Sequence, residues 1–68
     1  MDTNSQIMER LIRIDEVQHI CGLSRSSIYA SIKQGVFPVQ VKLSPKSSAW
    51  VYSEVLAWIN ARAALRQN

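Results

Sequence analysis

The chain has only two glycines, Gly22 and Gly35, and each stands where a helical pattern stops. Together they divide the first half of the sequence into two short helices. The second runs through Leu23 to Gly35, L-S-R-S-S-I-Y-A-S-I-K-Q-G. Ser24 can cap it, because its hydroxyl can accept a bond from an otherwise unpaired first-turn amide, and Gly35 can end it in a left-handed conformation. At about 100° per residue Ile28 and Ile32 fall on one line, with Ser26, Ala30 and Lys33 on the opposite side and Ser27, Gln34, Arg25 and Tyr29 between. A helix held by its apolar line, with small hydroxyls, Gln and cations outward, can approach a phosphate backbone and base edges closely. The same pattern also describes the ordinary solvated face of a core helix.

Upstream, Asp15 opens the first helix: D-E-V-Q sets a capping Asp three residues before Gln18, with Ile14 as a staple. Val17, Ile20 and Cys21 form a narrow inward stripe, and Gly22 stops the helix after about two turns. His19 lies off that stripe as a solvated or partly packed side chain. Arg10 to Ile14, R-L-I-R-I, reads either as a short strand or as an apolar lead-in beneath the first helix. Residues 1–9 are polar without a sustained period, a mobile leader before a folded domain at residues 10–66. Two short helices joined through Gly22, Leu23 and Ser24 make a helix-turn-helix, with Leu23 filling the corner.

After Gly35 the helical period disappears. Phe37 precedes Pro38 and is biased toward extended geometry. Val39, Val41 and Leu43 alternate with Gln40 and Lys42, the pattern of a half-buried strand; Ser44 to Ser48 is turn chemistry, and Ala49 to Tyr52 is a second strand. The result is a hairpin with Lys46 at its tip, a wing that can lay a cation on flanking nucleic-acid backbone or can simply stabilise the fold. Ser53 caps the last helix with Glu54 in its first turn, and Val55, Trp58, Ile59 and Arg62 share one side. Trp50 and Trp58 could each remove about 150–250 Å² from water, an upper limit of roughly 4–6 kcal/mol, which assigns them to the core rather than to a base-stacking platform. The expected fold is mainly α with a small β-hairpin: a winged helix-turn-helix of three helices plus wing.

Charge distribution narrows the function further. Eight Lys and Arg against five Asp and Glu give a net charge of +3, but Val17 to Ser53 holds Arg25, Lys33, Lys42 and Lys46 and no carboxylate. An acid-free stretch of this kind favours a polyanionic partner. A single cysteine, Cys21, forms no internal disulfide, and no Cys/His group has metal-ligand spacing. Paired carboxylates, an activated nucleophile and a phosphate-cradling loop are lacking as well, so neither enzymatic action nor a cofactor is expected. With no basic-then-apolar leader and no apolar run near 18 residues, the expectation is a soluble cytoplasmic, nucleoid-associated protein with no membrane contact.

The succession R-L-I-R-I-D-E-V, G-L-S-R-S-S-I-Y, G-V-F-P and W-V-Y-S-E-V-L-A-W-I resembles the AlpA family of small phage and genomic-island regulators, relatives of excisionases and, more distantly, of the MerR-type winged helix. The resemblance covers about Arg10 to Arg62. It implies a winged helix-turn-helix that binds double-stranded DNA in bacterial cytoplasm and either activates an integrase-type gene or controls excision at attachment-site DNA. It matches Ser24-Arg25-Ser26-Ser27-Ile28-Tyr29 to the start of the recognition helix, Gly35 and Phe37-Pro38 to its exit, and Trp50, Ser53-Glu54 and Trp58 to the frame behind it. Ala30 departs from the family, which usually has a basic residue after the Tyr; this shifts affinity onto Arg25, Lys33 and the wing.

The candidate DNA-binding residues are therefore Ser24, Arg25, Ser26, Ser27, Tyr29, Ala30, Lys33, Gln34, Lys42 and Lys46. So small a domain makes few base contacts, and the expected arrangement is several copies on repeated sites, or company from integrase or DNA-bending proteins. A rival expectation is an adaptor whose basic surface holds an acidic protein and never touches DNA.

Overall fold

The structure is a computed structural model and describes residues 9–66. Leader residues 1–8 lie outside the described residues. The order of elements is β1 (Leu11–Ile12), α1 (Ile14–Cys21), α2 (Arg25–Lys33), β2 (Val41–Ser44), β3 (Ser47–Val51) and α3 (Tyr52–Ala64). This is the winged helix-turn-helix expected: three helices with a β2–β3 hairpin, to which β1 adds a third strand.

Both glycines adopt the left-handed conformation, with φ of 70° at Gly22 and 78° at Gly35. A Cβ at either position would meet no atom within 4 Å, so glycine is needed there for its backbone freedom rather than for space. The Gly22 amide donates to Gln18 O at 2.8 Å and the Gly35 amide to Ile32 O at 2.9 Å, closing α1 and α2. At its start α1 departs from expectation. Arg13, not Asp15, is the capping residue, it has extended backbone and no side-chain cap bond, and its carbonyl accepts from Val17 N at 3.0 Å. Asp15 and Glu16 sit inside the first turn, where the helix dipole still favours their charge.

The sheet is antiparallel with strand order β1-β3-β2. R-L-I-R-I turns out to satisfy both of its readings. Leu11 and Ile12 pair with Val51 and Trp50, and Ile12 is buried beneath the helices. The second strand begins at Ser47, two residues earlier than expected, and ends at Val51, with Tyr52 already helical. The expected half-buried strand at Val39 to Leu43 is corrected more substantially. β2 begins only at Val41, and all of its residues are exposed; it is an edge strand, paired on one side alone. Its ladder is irregular between Lys42 and Ser44. Gln40, just before it, buries its Oε1 without a hydrogen-bond partner.

The core consists of Ile12 from β1, Val17 from α1, Ile28 from α2, Phe37, Trp50 from β3 and Val55 from α3. Ile20, Cys21, Leu23, Ile32, Tyr29, Trp58 and Ile59 pack against it partly buried. Trp58 is thus not the second central indole that its size suggested. It lies half-buried at the margin, edge-on to Phe37 with centroids 4.8 Å apart, and Arg62 covers its outer face at 5.0 Å. Ser53 does not cap α3 either; Val51 precedes the helix without a side-chain cap bond, and the Ser53 hydroxyl donates to Glu9 Oε1 at 2.8 Å. The chain between α2 and the wing is gripped by both indoles, since Trp58 Nε1 donates to Val36 O at 2.6 Å and Trp50 Nε1 to Pro38 O at 3.1 Å.

Replacing Trp50 by Phe keeps an aromatic ring but leaves the Pro38 carbonyl unpaired, and urea unfolding should show a loss of about 1–3 kcal/mol. Trp58→Phe should cost less, because water can reach the margin where that indole lies. Gln40→Met removes an unpartnered buried oxygen and should leave stability unchanged or raised by about 1 kcal/mol in the same assay.

Candidate nucleic-acid interface

Helix α2 starts at Arg25 because Ser24 does the capping expected of it, its Oγ accepting from Ser27 N at 3.1 Å. The Ser24 hydroxyl in turn donates to Ser27 Oγ at 2.9 Å, and Ser26 Oγ lies 3.4 Å from it. Three hydroxyls therefore gather at the positive end of the α2 dipole, where those of Ser26 and Ser27 and the free first-turn amides can donate to an anion. Arg25, Ser26, Ser27, Ala30, Lys33 and Gln34 are all exposed, while Ile28 on the reverse is fully buried. Lys33 stands in the last turn, where the dipole favours a cation.

Tyr29 is half-buried and joins the exposed side of α2 to the core. Its ring meets Trp50 edge-on, with centroids 5.9 Å apart and planes at 66°. The Arg25 guanidinium lies 5.9 Å from the same ring's centroid, within cation–π range. Trp50 belongs to β3, so this contact also ties the helix to the sheet from which the wing projects. At the wing tip Lys42 Nζ donates to Pro45 O at 3.4 Å, and the Lys46 amide donates to Ser44 Oγ at 3.3 Å. Both wing cations are exposed at one turn.

The described carboxylates are Glu9, Asp15, Glu16 and Glu54, and all of them lie beside β1 or in the first turns of α1 and α3, none on α2 or the wing. Two are occupied locally: Arg10 donates to Glu16 Oε2 at 2.9 Å, and Glu9 accepts from Ser53. The Glu16 bond holds the Arg10 guanidinium even more firmly protonated than usual, and Arg10 also stacks 4.5 Å above the Tyr52 ring. Sequence reasoning missed this N-terminal staple, for which Arg10 and Glu16 six residues apart gave no recognisable signal. The Arg62–Trp58 pair could have been found from its i, i+4 spacing.

Among the described residues there is no group of three or more His, Cys, Asp or Glu able to hold a metal ion. Cys21 is half-buried, and burial pushes its thiol above the ordinary value. No helix among the described residues is long and apolar enough to cross a membrane.

Comparison with known proteins adds two findings. A family described as prophage CP4-57 regulatory protein (AlpA) matches residues 10–63. The uncharacterized protein ORF88 of Enterobacteria phage P4 is 54% identical over 59 residues, which span 87% of this chain and 67% of that protein.

Ser24→Ala should destabilise the domain by about 1 kcal/mol, seen as a lower urea midpoint with an unchanged slope, because α2 loses its side-chain cap. The raised Cys21 thiol contributes stability that is complete below the thiol's unfolded-state pKa and is lost as pH rises through the folded value. Alkaline titration of stability should therefore fall more steeply for the native protein than for Cys21→Ala, and iodoacetamide should label the folded protein more slowly than the unfolded chain.

Proposed function

The chain belongs to the AlpA family of prophage regulatory proteins, and from that premise we propose that it is a sequence-specific DNA-binding regulator whose α2 enters the major groove while the wing holds the adjacent backbone. The observation that carries this reading is the exposed side of α2, small and cationic, in a molecule whose described carboxylates all lie elsewhere. Arg25 and Tyr29 engage phosphate together with Ser24 and the α2 N-terminus, Ser26, Ser27, Ala30 and Lys33 face base edges, and Gln34 closes the row at the helix exit. Lys42 and Lys46 neutralise the flanking backbone; Lys42 exchanges its weak bond to Pro45 O for a phosphate. Ala30 brings no charge, so its methyl allows close approach and can contact a thymine methyl. The regulated gene in this reading is an integrase gene of a prophage or genomic island, and several copies fill repeated sites.

With about four to six phosphates neutralised, log K against log salt should slope near −4 to −5. Lys46→Ala should flatten that slope by about one unit and weaken all duplexes alike, whereas Ser26→Ala or Lys33→Ala should change which sequence is preferred. Equal losses on every sequence for all three variants would refute this division of roles, and no binding to a generic duplex at low salt would favour the protein-adaptor reading. Footprints over an integrase promoter would support transcriptional control; protection confined to an attachment site would instead support excision control.

A further inference from the structure

The sheet has two faces, and the core uses one of them. Ile12 and Trp50 are paired across β1 and β3, and both enter the core. By the two-residue period of a strand, Leu11, Ala49 and Val51 belong to the opposite face. In the other ladder Val41 pairs with Ala49 and Lys42 with Ser48. Val41 therefore joins Leu11, Ala49 and Val51, while Lys42 falls on the side of Trp50. Through Leu11, Val51, Ala49 and Val41 the outer face is apolar from one edge of the sheet to the other, with Ser47 beyond them at the wing end. Leu11 is 47% exposed and Val41 38%, flanking a fully buried Ala49; Val39 and Leu43, 65% and 48% exposed, add apolar surface along the wing.

On the DNA-binding reading above, we infer that this outer sheet face is the contact between neighbouring copies of the protein on one duplex. Charge rules out the basic side: α2 and the wing tip are cationic and would repel their counterparts, whereas the four outer-face residues carry no charge; Leu56 and Leu65 put a second uncharged surface on and just after α3. Position favours the same occupant. The face lies across the sheet from Lys42, so a copy that has placed Lys42 along a phosphate backbone still presents it. Size then sets the circumstances of contact. The exposed parts of these side chains amount to on the order of 300 Å² per copy, against about 800 Å² per partner in a standard interface. A patch this small leaves the free protein monomeric. It suffices when DNA holds two copies at an effective concentration near millimolar. Contact between copies therefore follows DNA binding rather than preceding it.

The test compares binding to a random-sequence duplex of about 15 base pairs, room for one copy, with one of about 60, room for several. The wild-type protein should gain about tenfold or more in apparent affinity per site on the long duplex, with a sigmoidal isotherm. The Leu11→Gln/Val41→Gln variant leaves charge unchanged and should match wild type on the short duplex within about twofold, while losing that gain. Affinity for the short duplex reports that the variant is folded; Val41→Thr, a smaller change, should lose part of the gain. A benzophenone amino acid at position 41 should cross-link two copies on the long duplex only. Retention of the gain by the double variant, its absence in wild type, or a cross-link from position 41 to residues 1–8 of the same chain would each overturn the inference. Failure to bind even the short duplex would instead overturn the DNA-binding reading, and this inference with it.

Discussion

The fold depends on two indole N–H groups that bracket Phe37. Trp58 holds the carbonyl before it and Trp50 the carbonyl after it, while the Phe37 ring is buried between the helices and the sheet. Pro38 forbids helix and has no amide of its own, so this segment cannot satisfy its backbone by joining a regular element. The two indoles, from different elements, supply the missing donors. They thereby set where the chain leaves α2 and where it enters β2, and so the relative placement of helix and wing. Tyr29, edge-on to Trp50, extends the same framework to the exposed side of α2.

A chain of 68 residues buries too little surface to spare interior volume for polar groups. Buried polar or charged residues are indeed absent among the described ones, and charge is managed at the surface by segregation. The carboxylates gather round β1 and the first turns of α1 and α3, where dipoles, Arg10 and Ser53 hold them. The cations of α2 and the wing are left without carboxylate neighbours, so little of their field is cancelled locally. Anchoring β1 to both α1 and α3 and keeping acids away from the basic side are accomplished by the same residues, Glu9, Arg10 and Glu16.

What could be read from the sequence was mostly local. Ser24, Gly22 and Gly35 act through bonds and dihedrals within one turn of themselves, and the structure has them doing what their positions imply. The buried line of α2 and its exposed opposite side also follow from period alone. The caps proposed at Asp15 and Ser53 failed because the neighbouring strands fix where each helix begins: β1 delivers the chain so that Arg13 is the last extended residue, and β3 runs directly into α3. Alternation in Val39 to Leu43 identified a strand but not its surroundings, since a period of two says which side chains share a face and not whether anything covers it. Trp58 shows the same limit, its size indicating burial while its place at the edge of α3 exposes one side. The candidate DNA contacts were legible as exposed, small or cationic positions, whereas the Arg10–Glu16–Tyr52 staple joins parts of the chain that only tertiary structure brings together.

The irregular step between Lys42 and Ser44 has a consequence for how such a protein survives at high concentration. A straight outer strand bearing valine and leucine would template the addition of strand upon strand, the growth mode of fibrils. The broken ladder, the lysine beside it and Pro45 immediately after it spoil that template. At the β2 edge, stickiness of the sheet is thereby turned away from the hydrogen-bonding direction and left to a patch of limited area, which lets a small regulator keep apolar side chains in water with less risk of nucleating its own precipitation.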